Sequence, residues 1–338
     1  MRATETILTE TALDELRTIY GARLRPNEML SRHGTFGVGG PADAWVSVTR
    51  EDELVALVNL ASDHGWPLML VGNGTNVLFS DAGARGIVAR MQIDEYTLIE
   101  LPDGRVRLVA GGGVSLPKLI NDLAGKGLAG LEWGAGVPGT IGGGIVSNAG
   151  AHGVCIADTL ESARVLVAPT APGEHTTILD VPADECNLGY RRSRFRAERE
   201  MRFDEQSRPI PAPRGQFEPP EMIAGGSFLL TRDDPAAIRA RVTSYRQHRK
   251  ETQPPQPSAG SVFKNPPGDH SGRLVEAAGL KGAMHGGAQI SPKHANFIVN
   301  NGGATAVDIL ALIALARRTV LERFGVALEL EVELRGDW

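Results

Sequence analysis

Clustered glycines constrain the fold of this chain more than any other feature of its sequence. Of its 338 residues 41 are glycine, against an average usage of about 7%. They follow no collagen-like period and gather at 37–40, 72–74, 111–113, 125–144 and 282–287. Glycine reaches backbone conformations that other residues avoid and lets a ligand or another backbone approach closely. The sequence therefore predicts several tight loops in one crowded fold.

Length and charge exclude several classes of protein. A chain of 338 residues, 42% hydrophobic and 22% charged, is globular and long enough for two or three domains. The net charge of −5 argues against a nucleic-acid partner. No run of about 20 apolar residues and no secretory signal is present, so we expect a cytoplasmic protein with no membrane partner. Cys155 and Cys186 lack metal-ligand spacing, and we expect no metal.

Strands and helices alternate along the chain. A strand at 43–49, a helix over 50–64 that Thr49 caps and Gly65 ends, and a strand at 67–71 form the first such group. Further strands are predicted near 87–91, 106–110, 162–168, 176–181, 226–231 and 327–334, and further helices over 116–125, 235–249, 271–278 and 305–324. This alternation indicates an α/β or α+β fold. Residues 198–222 are charged, proline-rich and aperiodic, which predicts an exposed insertion or hinge.

Three glycine loops are candidates for binding an anion. They are G-N-G-T-N (72–76), A-G-G-G-V-S (110–115) and G-A-G-V-P-G (134–139). The third matches G-x-G-x-x-G, but Pro138 and the following T-I-G-G-G predict no helix there, so it is a poor nicotinamide-dinucleotide fingerprint. Each loop could present backbone N–H groups to a phosphate, or could be a tight turn alone. Their proximity in sequence favours one extended anion, such as a dinucleotide.

Two arginines are candidate anion ligands. In Y-R-R-S-R-F-R (190–196), strand alternation places Arg191, Ser193 and Phe195 on the inner face and leaves the other arginines solvated. A buried arginine needs an anion, so Arg191 is a candidate ligand for carboxylate or phosphate. Arg249 ends a helix, where attraction to the helix dipole is the alternative explanation.

The segment S-A-G-S-V-F-K-N-P (258–266) has neither strand nor helix periodicity. Gly260 permits a sharp bend that places the Ser261 hydroxyl on a rigid loop, where chemistry is often found. A polar loop with local hydrogen bonds is the alternative. In the predicted last strand Glu329, Glu331 and Glu333 share a face; all three are solvated, or one faces a site.

Together these motifs resemble the UDP-N-acetylenolpyruvoylglucosamine reductase family, in its shorter version, from about residue 20 to the C-terminus. The resemblance rests on segments in a fixed order, namely 32–43, 71–81, 136–153, 189–193, 253–266, 278–282, 294–300 and 329–332. It implies an α+β fold: two FAD-binding subdomains of the vanillyl-alcohol-oxidase (PCMH) type and a C-terminal α/β substrate-binding subdomain. The implied boundaries are 1–85, joined by the C-terminal strand 326–338; 86–225, with the insertion 198–222; and 226–325.

The resemblance also implies the reaction and its residues. FAD would be bound non-covalently, and NADPH would reduce UDP-N-acetylglucosamine enolpyruvate to UDP-N-acetylmuramate for peptidoglycan synthesis. Ser261 matches the proton donor to C2, and Arg191 and Glu331 match the pair that stabilises charge on the substrate. Tyr190, Arg249 and Asn265 match substrate contacts. The implied FAD-binding residues are Gly72, Asn73, Gly74, Thr75, Asn76, Gly111, Gly112, Gly136, Pro138, Gly139, Gly142, Gly143, Asn148 and Gly150.

Three departures and two alternatives accompany the resemblance. Gly34 and Gly144 stand where the family commonly has Thr and Ala, and the family pattern gives the insertion 198–222 no role. Another FAD-linked oxidase on the same scaffold is one alternative function. A nucleotide-binding module without chemistry is the other. The sequence does not predict an oligomeric state.

Overall fold

The structure is a computed structural model that describes residues 6–171, 173–197, 202–210 and 214–338. Within these residues the helices are α1 (Glu10–Tyr20), α2 (Glu51–His64), α3 (Leu116–Gly125), α4 (Ile141–Ser147), α5 (Arg194–Ala197), α6 (Pro235–Thr252), α7 (Ser271–Ala277) and α8 (Ala306–Phe324). No helix in this part of the chain is both long and apolar enough to cross a lipid bilayer.

The strands of the described residues form two large sheets and several small ones. They are β1 (Leu24–Met29), β2 (Pro41–Val48), β3 (Leu68–Val71), β4 (Val77–Phe79), β5 (Ala84–Met91), β6 (Tyr96–Glu100), β7 (Val106–Gly111), β8 (Leu128–Ala129), β9 (Gly150–Ala151), β10 (Val154–Cys155), β11 (Leu160–Val167), β12 (Thr177–Pro182), β13 (Arg202–Phe203), β14 (Pro209–Ile210), β15 (Phe217–Glu218), β16 (Glu221–Arg232), β17 (Met284–His285), β18 (Ala288–Ile290), β19 (Ile298–Asn300) and β20 (Glu333–Arg335).

The first unit is a five-stranded sheet in the order β1-β2-β5-β3-β15, on which α1 and α2 pack. The α2 helix buries Leu54, Leu57, Val58 and Ala61, whose spacing places them on one face. It ends as predicted at Gly65, whose φ of 67° suits glycine. The cap differs from the prediction, because Arg50 holds the N-cap position and Thr49 instead hydrogen-bonds the Glu53 carboxylate.

The second unit is an antiparallel sheet in the order β12-β11-β16-β7-β6, with β8 beside β16. Helices α3, α4 and α6 contribute to its core. The α6 helix begins as predicted at Asp234, whose carboxylate accepts hydrogen bonds from the amides of Ala236 and Ala237. It buries Ile238 and Val242 in the core of this second unit.

The third unit contains β17, β18 and β19 with helices α7 and α8. Thr305 and Asp308 form a capping box at the start of α8. The C-terminal segment 326–338 packs alternate residues into the core of this unit, namely Leu328, Leu330, Val332 and Leu334. Only β20 forms a regular strand in that segment, paired in parallel with β4, together with one bridge between Phe263 and Leu330. The strand predicted over 327–334 is therefore largely wrong, although its alternation is present.

Two predicted subdomain boundaries fall inside strands. β5 spans residues 84–91 and lies between β2 and β3 in the first sheet, so a division after residue 85 would cut it. β16 spans residues 221–232 and is a central strand of the second sheet, so a division after residue 225 would cut it too. We propose instead that the second unit begins after residue 91 and the third after residue 252.

The predicted insertion 198–222 lies outside the described residues at 198–201 and 211–213. Its described parts pack against the rest of the chain. Phe203 lies 3.7 Å, from ring centroid to guanidinium carbon, beneath Arg317 of α8. β15 extends the first sheet beside β3, and Phe217 is buried in the core of the first unit. These described segments therefore contact both the first and the third unit. The sequence predicted an exposed insertion, but Phe217 within it is buried.

A tight turn of the first unit, at Gly83, is hydrogen-bonded to the C-terminal segment. Gly83 has a φ of 84°, and its carbonyl accepts the amide of Asp337 at 2.9 Å. A Cβ at Gly83 would lie 1.9 Å from the carbonyl oxygen of Pro41. Gly104 has the same φ of 84°, but a Cβ there would meet no atom within 4 Å.

Gly83→Ala is expected to lower the free energy of unfolding by about 1–3 kcal/mol more than Gly104→Ala, because only Gly83→Ala adds overpacking to the cost of the left-handed backbone. Urea denaturation of both variants measures the difference. Equal destabilisation by the two substitutions would contradict the close approach of this turn to Pro41.

Candidate functional site

One cavity brings together most of the residues that the sequence analysis selected. It has a volume of about 630 Å³ and is lined by three groups of residues, at 70–77, 136–150 and 258–261, with additional residues from the end of α6. We call it the glycine-loop cavity. Its size is that of a site for a large organic ligand, for which about 300–1,000 Å³ is usual.

The loop 72–76 presents unpaired donors to this cavity. The backbone amides of Asn73, Gly74, Thr75 and Asn76 donate to no described group, whereas the carbonyl of Gly74 accepts the amide of Thr35. Consecutive free amides form a concavity suited to an anion or to polar ligand oxygens. This loop fits the phosphate-binding role predicted from its glycines.

The loop 136–144 continues into a helix, which the sequence analysis did not predict. Residues 141–147 form the α4 helix, and Thr140 caps it by accepting the amide of Gly143 through its hydroxyl. The absence of a helix after Pro138 was therefore a wrong expectation. The amides of Gly139 and Gly142 bond the carbonyls of Val137 and Gly112, so they shape the wall and are not free donors.

Glycine keeps this wall open for a ligand. A Cβ at Gly139 or Gly143 would meet no atom closer than 3.7 Å and would extend into the cavity space. A Cβ at Gly72 would lie 2.9 Å from the hydroxyl of Thr140, because the two loops touch there. Gly111 is needed for close backbone packing at the end of β7, since a Cβ there would lie 2.2 Å from the carbonyl oxygen of Ile93.

Residues 189–197 form a turn followed by the short α5 helix, not the predicted strand. Arg191 adopts a φ of 52°, in the left-handed region. Asn148 supports this turn, because its side-chain amide donates to the Gly189 carbonyl at 2.8 Å and its oxygen accepts the Ala157 amide at 3.1 Å. Both ends of the Asn148 side chain are therefore occupied by protein groups.

The inward direction of Arg191, Ser193 and Phe195 agrees with the sequence analysis, since Ser193 and Phe195 are buried and Arg191 lines the cavity. The expectation that the remaining arginines are solvated is wrong for Arg196. Its side chain is only 10% exposed and donates to the backbone carbonyl of Glu331.

Arg191 and Glu331 form an ion pair at the cavity. The Arg191 Nε donates to Glu331 Oε1 at 2.5 Å, and Nη2 donates to the Gly150 carbonyl at 2.9 Å. Their side chains are 21% and 16% exposed, so water screens the pair only partly. Of the three glutamates on this face, Glu331 and Glu333 are largely buried and paired with arginines, and Glu329 is exposed.

Backbone hydrogen bonds fix Glu331 beside Ser261. The Glu331 amide donates to the carbonyl of Val262 at 2.8 Å. Its carbonyl accepts the side chains of Asn76, at 2.9 Å, and Arg196. Glu331 is therefore connected to the serine segment, to the loop 72–76 and to α5.

Ser261 lies on the cavity wall with its hydroxyl available. Gly260, immediately before it, has a φ of 75°, which confirms the predicted sharp bend. The next residues are fixed, because the amides of Val262 and Phe263 donate to the backbone and side chain of Asn296. No described group hydrogen-bonds the Ser261 hydroxyl, so it is free to contact a ligand.

Arg249 is a desolvated cation at the same cavity. Burial lowers the pKa of its guanidinium, because no described carboxylate offsets the cost of removing the charge from water. The Cδ atom of Arg249 is close to Gly136, where a Cβ would lie 3.1 Å from it. A buried arginine without an anionic partner is typical of a phosphate or carboxylate site.

Tyr190 and Asn265 contact each other next to the cavity. The Asn265 amide donates to the Tyr190 hydroxyl at 3.2 Å, and the Asn265 side-chain oxygen accepts the Ser271 amide at 3.1 Å. Tyr190 is 57% exposed. Neither residue is part of the cavity wall described above.

The cavity wall contains most of the predicted site residues, namely Gly72, Asn73, Gly74, Thr75, Asn76, Gly112, Gly136, Pro138, Gly139, Gly142, Gly143, Gly150, Arg191, Arg249, Ser261 and Glu331. It does not contain Gly111, Asn148, Tyr190 or Asn265. Sequence reasoning missed Arg246 and Arg335 on this wall, and Glu333 lines it together with Glu331 although only one glutamate was expected to face a site. Arg246 lies three residues before Arg249 on α6, a helical spacing that could have indicated it.

Two protein-family models match most of this chain. Residues 252–335 match the family model of the C-terminal domain of UDP-N-acetylenolpyruvoylglucosamine reductase, and residues 42–173 match that of an FAD-binding domain. Both matches support the predicted α+β fold with FAD-binding and C-terminal domains.

Curated relatives carry the same name. The UDP-N-acetylenolpyruvoylglucosamine reductase of Chloroflexus aggregans is 43% identical over 92% of this chain and 97% of its own length. Reductase 2 of Symbiobacterium thermophilum is 40% identical over 96% of both chains. The crystal structure of the Thermus caldophilus reductase is 32% identical, with a TM-score of 0.70 over 92% of this chain and 99% of that one. The chain belongs to the UDP-N-acetylenolpyruvoylglucosamine reductase family.

Proposed function

We propose that this chain reduces UDP-N-acetylglucosamine enolpyruvate to UDP-N-acetylmuramate with NADPH and bound FAD, in peptidoglycan precursor synthesis. The observation that carries the proposal is one cavity lined by the free amides of 73–76, the unbonded Ser261 hydroxyl and the Arg191–Glu331 pair. These features correspond to a cofactor cradle, a proton donor and a cation for developing negative charge. The substrates are small molecules, and we propose that the protein acts in the cytoplasm.

The residues present fit FAD held without a covalent bond. The free amides of Asn73–Asn76 suit the pyrophosphate, and the wall without side chains at Gly139 and Gly143 leaves room for a flat ring system. FAD, when bound, would supply the redox chemistry that carries hydride from NADPH to C3 of the enolpyruvyl group.

Ser261 gives the proton to C2 in this proposal. Hydride addition at C3 leaves the electron pair on C2, delocalised into the substrate carboxylate. A serine hydroxyl is a weak acid, but a carbanion-like carbon is a strong base, so the transfer needs chiefly a fixed geometry. The bend at Gly260 and the bonds of Val262 and Phe263 to Asn296 supply that geometry.

Arg191 stabilises the charge that develops on the substrate carboxylate. Two of its nitrogens hold Glu331 and Gly150, which fixes the guanidinium plane and leaves further N–H groups for the substrate. A cation fixed in advance in a water-poor site lowers the energy of a charged transition state without reorganisation. Glu331 positions this cation.

Arg249 is suited to the diphosphate of the substrate or of NADPH. Its burial without a described carboxylate partner means that an incoming phosphate would restore the charge balance. Tyr190 and Asn265, beside the cavity, are proposed substrate contacts.

The purified protein is expected to be yellow and to release its flavin on acid precipitation. It should oxidise NADPH only when UDP-N-acetylglucosamine enolpyruvate is present, as absorbance at the NADPH band measures. Rapid oxygen consumption without that substrate would contradict the proposal and favour a flavin oxidase. A colourless protein that binds only nucleotide would favour a module without chemistry.

Ser261→Ala is expected to separate the two half-reactions. Reduction of the flavin by NADPH should continue, whereas its reoxidation by the enolpyruvyl substrate should slow by about 10²–10⁴-fold, the usual contribution of a positioned proton donor. Stopped-flow absorbance measures both rates. An equal loss in both half-reactions would point to loss of FAD or of folding.

Arg191→Lys is expected to slow reoxidation by about 10²–10³-fold, because lysine cannot bond both Glu331 and a carboxylate in one plane. Arg192→Lys is the matched control, since Arg192 is the exposed neighbour in the same turn. It should change the rate by about twofold at most. Similar losses in both variants would contradict a specific role for Arg191.

A further inference from the structure

A second cavity lies on the other side of the C-terminal segment. Its volume is about 760 Å³, and its wall comes from 214–220, 327–338, α5, Phe203 and Arg317. The proposed reaction uses none of Phe203, Arg214, Arg317 or Trp338, which are specific to this wall. Part of the wall belongs to the insertion 198–222, to which the family pattern gives no role.

Positive charge dominates the described wall of this second cavity. Seven arginine and lysine side chains line it, against three glutamates, and two further carboxylates, Glu331 and Asp337, pair with wall arginines from outside. The described residues therefore leave an excess of cations. Arg192 and Arg317 have no described carboxylate within 4.0 Å.

Arg317 is the most informative of these cations. Its guanidinium lies over the Phe203 ring, its Nε donates to the Leu328 carbonyl at 3.0 Å, and its Nη1 donates to the Ser207 hydroxyl at 3.2 Å. All its described partners are neutral, and burial lowers its pKa. Keeping an arginine charged in such a place is costly unless an anion binds there.

Two more arginines on this wall have unused donors. Among the described residues, Arg196 Nη1 and Arg214 Nη2 are buried donors without a hydrogen-bond partner. Buried polar groups in native structures are almost always bonded. Arg214 is nevertheless paired with Glu218 and Asp337, and Arg196 lies 3.9 Å from Glu333, so the charges of both are balanced. The wall cations that the described carboxylates leave unbalanced are Arg192 and Arg317.

We propose that the second cavity binds a small phosphorylated metabolite through Arg317 and Arg192. A phosphate offers several oxygens to planar guanidinium groups, and no described carboxylate pairs with either of these two arginines. The cavity volume is sufficient for a phosphate ester with an organic group, and the aromatic ring of Trp338 lies on the wall beside it.

The second cavity is coupled to the proposed active site through shared residues. Arg191 and Arg335 line both cavities. An anion in the second cavity would attract the Arg191 guanidinium away from Glu331 and from the substrate carboxylate. We therefore expect the occupant to lower turnover without competing with the substrate.

Calorimetric titration of the FAD-loaded protein with inorganic pyrophosphate tests the binding directly. Two binding sites are expected, because Arg249 also offers a diphosphate site. Arg317→Gln should raise the dissociation constant of the second-cavity site about ten- to hundredfold, the usual contribution of a hydrogen bond to a charged group. Arg318→Gln, the exposed neighbour on α8, is the matched control and should leave both sites intact.

Arg249→Gln should abolish only the other site, which distinguishes the two cavities and does not depend on the reductase reaction. Arg192→Gln, on the exposed rim, provides a second test if Arg317→Gln does not fold, and should also weaken second-cavity binding. A single site lost in Arg249→Gln, or equal effects of Arg317→Gln and Arg318→Gln, would overturn the proposal.

Discussion

The position of the Glu331 backbone is the constraint on which the candidate site depends. Its amide bonds Val262, next to Ser261, and its carbonyl accepts Asn76 and Arg196. These partners belong to the serine segment, to the loop that offers free amides to the cavity, and to α5. Moving any one of the three would therefore displace Glu331, and with it the Arg191 guanidinium. The proposed proton donor, Ser261, and the proposed cation, Arg191, are thus positioned by a shared set of hydrogen bonds.

Apolar and charged residues alternate in the C-terminal segment, and this alternation keeps the Glu331 backbone in position. Leu328, Leu330, Val332 and Leu334 enter the core of the third unit, and burying each contributes about 1.5–3 kcal/mol. The residues between them include Glu331 and Glu333, which pair with arginines. Burying ionised groups costs free energy that the ion pairs repay only in part. Packing of the apolar face offsets this cost, so the segment can hold two carboxylates beside a cavity.

Features with local causes could be predicted from the sequence, and features with distant causes could not. The capped helices α6 and α8 and the end of α2 at Gly65 follow from residues within one turn. The α4 helix did not, because Thr140 and the adjoining loop are held by contacts with residues far away in sequence. The turn at Arg191 depends likewise on Asn148. Ser261, Arg191 and Glu331, which the motif resemblance selected, line one cavity, whereas the polar partners of Arg196 are visible only in the folded structure.

A crystal structure of the FAD-loaded protein with UDP-N-acetylglucosamine enolpyruvate tests the central claim most directly. The measured quantity is the distance from Ser261 Oγ to C2 of the enolpyruvyl group, together with the contacts of the substrate carboxylate. The arrangement around Glu331 predicts a distance of about 3–3.5 Å and a carboxylate bound by Arg191. A substrate bound with C2 remote from Ser261, or with its carboxylate away from Arg191, would contradict it.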